Sequence, residues 1–157
     1  MKFITLSLTV GLTFFAPIMG GASEIMAAEA QVIASISGFS GSWVTDDNET
    51  IILIEQCDRD PRSFCGYVTK FKPTRKKLEN RSICDARLVG GLKPVGNILQ
   101  NGWVIDPESD SIYNLEISLT QSADKISLRV YQGRKRFGET VIWTRAKNNY
   151  AKCNDPS

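Results

Sequence analysis

The chain has 157 residues, with 19 Lys plus Arg against 17 Asp plus Glu and a formal net charge of +2. That balance excludes a dedicated nucleic-acid binder, whose footprint is a strong basic stripe. No histidine is present, so the commonest general base and metal ligand is missing from any site this chain could build.

Residues 1–30 read as a targeting segment rather than as fold. Lys2 supplies a positive start and Phe3 to Met19 an apolar run. Gly20-Gly21-Ala22 and Ala28-Glu29-Ala30 offer small residues to a signal peptidase, which places cleavage between 22 and 30. The run is short for a spanning helix and no other stretch is long and apolar enough, so no membrane span is expected after cleavage. Removing residues 1–30 takes away Lys2, Glu24 and Glu29 and leaves the remainder slightly more basic. Residues 31–157 are long enough for one domain with a real core, expected in the periplasm.

Strands follow one another along that domain. Gly38-Phe39-Ser40-Gly41-Ser42-Trp43 leads into a first strand through Thr45, and Asp46-Asp47-Asn48 forms a turn. Ile51 to Gln56 is rich in β-branched residues, and Gly66 to Phe71 returns antiparallel to it. Pro73 to Ser82 breaks the pattern, with Thr74 placed to cap a helical turn over residues 75–80. Strand character resumes at Ala86 to Val89 and is bent by Gly90-Gly91 and Lys93-Pro94. Gly102 to Ile105 is a strand and Asp106 to Asp110 a turn. Ile112 to Thr120 and Lys125 to Gln132 alternate apolar with polar residues. Gly133-Arg134-Lys135-Arg136 turns the chain into Phe137 to Arg145. Such spacing predicts an all-β fold, an antiparallel up-and-down meander of about eight strands. Closing it into a barrel removes the edges and brings the first and last strands together, with Trp43 beside Arg145 and the guanidinium stacked on the indole.

The four cysteines, Cys57, Cys65, Cys84 and Cys153, point to two disulfides in an exported chain, and three pairings are possible. Cys57–Cys65 is favoured because the Asp58 to Phe64 turn sets the two on neighbouring strands, which leaves Cys84–Cys153. Zinc is not expected without histidines or a C-x-x-C spacing, and no metal or cofactor is assigned.

These residues resemble a bacterial family known as domain of unknown function 2147, whose members are small exported proteins. The resemblance rests on Gly41-Ser42-Trp43, Cys57 with Cys65-Gly66, Gly102 through Glu108 followed by Tyr113, Leu128-Arg129-Val130-Tyr131, Phe137-Gly138-Glu139-Thr140 and Trp143-Thr144-Arg145. It implies a lipocalin-like barrel and brings no established activity. The chain departs from the family in Ser109-Asp110-Ser111, where a Gly is usual, and in a central segment that is basic rather than acidic.

For function, the leading expectation is a non-catalytic barrel that binds a small apolar or amphipathic molecule. Its cavity is expected to be lined by Tyr67, Trp103, Tyr113, Leu115, Val141 and Trp143. Glu139 is the polar group that alternation from an inward Arg145 would bring inside. The alternative is a structural or interaction module of the envelope. Lys70, Lys72, Arg75, Lys76, Lys77 and Arg81 form a candidate anion-binding patch for an anionic envelope lipid or polymer, weighed against a plain solvated loop. Asp106, Glu108 and Asp110 have the spacing that opens a calcium loop but lack its Gly and closing Glu, so a turn is expected there. Glu139 and Glu55 are the carboxylates singled out for burial. The serines have no visible base and paired cysteines offer no thiolate, so no catalytic residue is assigned. Nothing in the sequence sets the oligomeric state.

Overall fold

A computed structural model of the chain describes residues 36–71 and 83–148. Eight antiparallel strands close into one barrel in sequence order. They are β1 (Gly41–Val44), β2 (Thr50–Cys57), β3 (Asp60–Phe71), β4 (Arg87–Val95), β5 (Ile98–Ile105), β6 (Ile112–Leu119), β7 (Lys125–Tyr131) and β8 (Glu139–Arg145). Closure is made by β1 against β8, with Trp43 opposite Arg145 and Val44 opposite Thr144. The Ala146 N–H donates to the Ser42 carbonyl, 2.9 Å away, and extends that ladder.

Alternation decides what faces inward. In β2, Ile52 and Ile54 are buried between half-buried neighbours. Across β6, β7 and β8 the inward residues stack in register: Ile117 opposite Leu128, Leu119 opposite Ile126, Ile126 opposite Trp143, and Leu128 opposite Val141. Each such side chain taken out of water contributes about 1.5–3 kcal/mol, which fixes the register, since a one-residue slip would turn the whole set outward.

In an up-and-down barrel, successive connections fall at opposite ends. Residues 36–40, the Asp58-Arg59 and Gly96-Asn97 turns, residues 120–124 and the exit from β8 share one end. Residues 45–49, 106–111 and 132–138 share the other, with the end of β3 and the start of β4. The first end is plugged. Phe39 and Trp43 are both fully buried there, and the lower interior is filled by Ile54, Phe64, Leu92, Leu99, Leu115 and Ile117.

Several element boundaries differ from the sequence expectation. The connection between Cys57 and Cys65 is not a long turn. Only Asp58 and Arg59 turn, Cys57 pairs with Asp60, and β3 starts six residues earlier than Gly66. A register shift between Gln56 and Cys57 lets the longer hairpin form. β4 continues through Gly90, Gly91 and Pro94 as one strand, carrying the expected irregularity at Gly90-Gly91, where its register against β3 shifts and Gly91 has φ +68°, and β5 begins at Ile98. Pro94 is tolerated because the β3–β4 register ends at Phe64 opposite Leu92, leaving Pro94 paired with β5 alone. Finally, Phe137 belongs to a 3₁₀ turn, Lys135–Phe137, and not to β8. The targeting segment, the turn over residues 75–80 and Cys153 lie outside the described residues. Among those described, no helix is long and apolar enough to cross a membrane.

Candidate functional site

A pocket of about 510 Å³ opens at the unplugged end. Its walls are apolar and come from five strands: Ile52, Leu88, Val104, Leu128 with Val130, and Val141 with Trp143. Tyr113 of β6 completes the wall. Its mouth is polar. Asp46 and Asp47 come from the β1–β2 turn, Asp106 from the β5–β6 turn, and Glu139 from the first residue of β8. Two of these carboxylates are engaged by their own turns. Asp47 accepts from the Thr45 hydroxyl at 2.6 Å and the Glu49 N–H at 2.9 Å. Asp106 accepts from the Glu108 N–H at 2.9 Å and the Ser109 hydroxyl at 2.7 Å. The Asp106 to Asp110 segment is therefore an Asx-type turn.

Of the seven residues expected to line a cavity, Tyr113, Glu139, Val141 and Trp143 meet in this pocket. The register of β7 with β8 runs unbroken from Lys125 opposite Thr144 to Val130 opposite Glu139. Glu139 thus follows Trp143 and Val141 onto the inner side by alternation, and its place at the first residue of the strand leaves it at the rim. Leu115 is inward but lies in the solid core below, fully buried and outside the pocket lining.

Tyr67 and Trp103 are corrections: both stand on the outer wall. Phe64, Gly66 and Val68 take the inward positions of β3, paired with Gln56, Ile54 and Ile52, so Tyr67 between them points out. In β5 a register shift between Leu99 and Gly102 puts Gly102 inward. A Cβ there would fall 2.5 Å from Leu92, and Trp103 is left on the outside opposite Gly90. Pocket residues not foreseen include Ile52, Leu88, Val104, Leu128, Val130 and the turn carboxylates. The alternation of Ile126, Leu128 and Val130 already put Val130 on the inner face; Leu88 is inward only because β4 shifts register against β3 near Gly66 and Tyr67.

At the plugged end the Arg145 guanidinium carbon lies 4.1 Å from the centroid of the Trp43 ring. Its Nη1 donates to the Ser40 carbonyl at 3.1 Å, its Nη2 to Gly38 at 2.7 Å and its Nε to Ala123 at 3.2 Å. The Trp43 indole N–H donates to the Phe39 carbonyl at 2.9 Å. Gly41 is required beside this cluster. Its φ is +120°, and a Cβ would sit 2.9 Å from Arg145 Nη1. The pair seals the barrel rather than forming a ligand site. Close by, a hydrogen bond from the Ser122 hydroxyl holds Asp124 below the usual carboxylate range.

Cys57 and Cys65 are disulfide-bonded, Cα to Cα 5.1 Å. Cys84 is also disulfide-bonded; its expected partner, Cys153, lies outside the described residues. Of the basic run, Lys70 is exposed near the end of β3 at the open end, and Lys72, Arg75, Lys76, Lys77 and Arg81 lie outside the described residues. Glu55 faces outward, opposite Cys65 across the β2–β3 ladder, and does not share the pocket with Glu139. Among the described residues, no group of three or more Cys, Asp and Glu side chains is placed to hold a metal ion.

The family model described as "Uncharacterized protein conserved in bacteria (DUF2147)" matches residues 41–145, from the glycine that opens β1 to the arginine that ends β8. No curated protein matches the chain, and no solved structure does.

Proposed function

We propose that this chain, which belongs to the bacterial DUF2147 family, is an exported, non-catalytic carrier that holds a small amphipathic molecule in the open end of its barrel. The observation that carries this reading is the pocket of about 510 Å³, with apolar walls and a carboxylate-bearing mouth, above a solid core. An eight-stranded barrel can be filled by side chains or can hold one small ligand. Here the lower part is filled and the upper part is open. Apolar walls with a few polar groups at one side suit a molecule whose body enters and whose polar head stays at the rim. Asp47 and Asp106 accept hydrogen bonds from their own turns, which supports a role in shaping the mouth. The Cys57–Cys65 disulfide and the apolar N-terminal segment support export into an oxidising compartment.

The test is uptake of the neutral fluorescent probe N-phenyl-1-naphthylamine by the purified, oxidised protein. Saturable uptake at one site per chain is expected. It should be abolished in Val141→Trp and Val130→Trp, which fill the volume, while both variants keep a cooperative unfolding transition. Absence of saturable uptake by the wild type would overturn the proposal. Native mass spectrometry of protein taken from the source cell then identifies the class of the natural occupant.

A further inference from the structure

Resting on the pocket reading above, we infer that the bound molecule carries a cationic head group: an amphipathic amine or quaternary ammonium compound, rather than a fatty acid or another anionic amphiphile. The site is the cavity of about 510 Å³ itself, and the charge of its mouth decides which head group can stay there.

Every charged side chain in the lining is a carboxylate. Asp46, Asp47, Asp106 and Glu139 line the pocket, and no Lys or Arg does. In a ring of eight strands β1 and β5 lie across from each other. Asp46 and Asp47 follow β1, Glu139 opens the neighbouring β8, and Asp106 follows β5, so the carboxylates face the opening from opposite sides. What selects is their common sign. Asp47 and Asp106 accept hydrogen bonds from neutral donors only: the Thr45 and Ser109 hydroxyls and the Glu49 and Glu108 N–H groups. Such bonds hold a carboxylate in place and leave its charge uncancelled. Among the described residues, none of the four is in an ion pair.

Two cations of the β7–β8 turn, at the same end, are engaged away from the pocket. Lys135 Nζ pairs with Glu116, which stands on the outer wall between the inward Leu115 and Ile117. The Arg136 guanidinium carbon lies 4.6 Å from the centroid of Phe137, a ring that is 73% exposed. Arg129 donates to the Lys135 and Arg136 carbonyls and holds that turn in place. Lys70 and Arg134, also at this end, are outside the lining.

A cleft lined by one sign of charge concentrates counter-ions and repels ions of its own sign. A carboxylate head group meets four like charges at this mouth, and an ammonium group meets four opposite ones. Tyr113 and Trp143 add aromatic surface to the wall, which attracts a cation through the ring quadrupole and offers an anion nothing equivalent.

The experiment displaces N-phenyl-1-naphthylamine from the oxidised protein at neutral pH. The competitors share one chain length: cationic decylamine, neutral decanol and anionic decanoate, each below its micelle-forming concentration. Decylamine is expected to displace the probe at a concentration at least tenfold lower than decanoate. The ratio should narrow at least threefold in about 0.5 M NaCl, and likewise in Asp46→Asn/Glu139→Gln, each protein being referred to its own probe affinity. Both replaced side chains are exposed, so the double variant should keep the cooperative unfolding of the wild type. Equal displacement by amine and decanoate, tighter binding of decanoate, or a ratio unchanged in the double variant overturns the inference and leaves the pocket standing. Absence of probe uptake overturns the pocket reading and this inference with it, so the two failures are told apart.

Discussion

Arg145 covers the Trp43 ring at 4.1 Å and, from the same guanidinium, donates to the carbonyls of Gly38 and Ser40. One side chain thus ties the last strand to the first and to the segment that plugs the barrel. A partly desolvated cation–π contact contributes about 1–2 kcal/mol, and hydrogen bonds from a charged donor about 1.5–3 kcal/mol each. Arg145→Ala is therefore expected to lose about 3 kcal/mol in urea denaturation. Arg145→Lys keeps the charge but lacks the planar fork and should lose about 2 kcal/mol. A loss below about 0.5 kcal/mol in both would show that closure does not depend on this contact.

Gly90 and Trp103 approach each other closely on the outer wall. A methyl group at Gly90 cannot share space with an indole carbon 2.4 Å away, so Gly90→Ala must push the ring off the sheet. We expect a red-shifted tryptophan emission and a loss of about 1–2 kcal/mol, within the range for overpacking. In Gly90→Ala/Trp103→Ala the methyl has room, so the double-mutant cycle should show a coupling of about 1 kcal/mol or more. Additive losses would mean that the ring does not rest on Gly90.

Acid should weaken the fold partly through Asp60 and Asp124. Both are held below the ordinary 3.8. Hydrogen bonds from Ser63 and then Arg62 do so for Asp60, and one from Ser122 for Asp124. A depressed folded-state value means that the ionised form is favoured by folding. The contribution is then present above about pH 3.8 and is lost as pH falls through the lower folded value. Both carboxylates are exposed, so the effect is small and screened by salt. Urea midpoints measured from pH 6 to pH 2 should fall less steeply below pH 4 in Asp60→Asn/Asp124→Asn than in the wild type. Parallel curves would remove these two groups from the acid response.

The parts of this molecule that could be read from sequence are those where pattern and topology agree. Ile112 to Thr120 and Lys125 to Gln132 alternate cleanly and became β6 and β7 with the expected inner faces. Trp43 meets Arg145 because a barrel has to join its first and last strands. Trp103 could not be placed the same way. Its side of the sheet depends on the register shift between Leu99 and Gly102, and no alternation rule counts across a shift of that kind. The irregularity expected at Gly90-Gly91 is there as a register shift against β3, but the further roles of Gly90 and Pro94 are tertiary and not legible: close approach to Trp103 in one case, pairing on one side only in the other. Alternation also gives the face of a strand but not the depth along the barrel axis. Leu115 and Tyr113 share the inner face of β6, yet one is solid core and the other lines the pocket.

Gly133 and Gly138 flank the short turn before β8 and should separate stability from binding. Gly133 has φ +67° with open space around its Cβ position. Gly133→Ala therefore costs only backbone strain, about 1 kcal/mol, and should leave probe uptake unchanged. Gly138 is different. Its φ of −78° suits any residue, but a Cβ would fall 2.3 Å from the Val130 carbonyl oxygen and 2.6 Å from the Tyr131 Cβ. Backbone atoms cannot rotate aside, so β8 has to shift where Val130 pairs with Glu139. That pair lines the pocket, together with Val141 two residues on. Gly138→Ala is expected to lose about 2–3 kcal/mol and also to weaken N-phenyl-1-naphthylamine uptake at least tenfold under conditions where the protein remains folded. Equal effects of the two substitutions on uptake would place the ligand away from the start of β8 and argue against the pocket as its site.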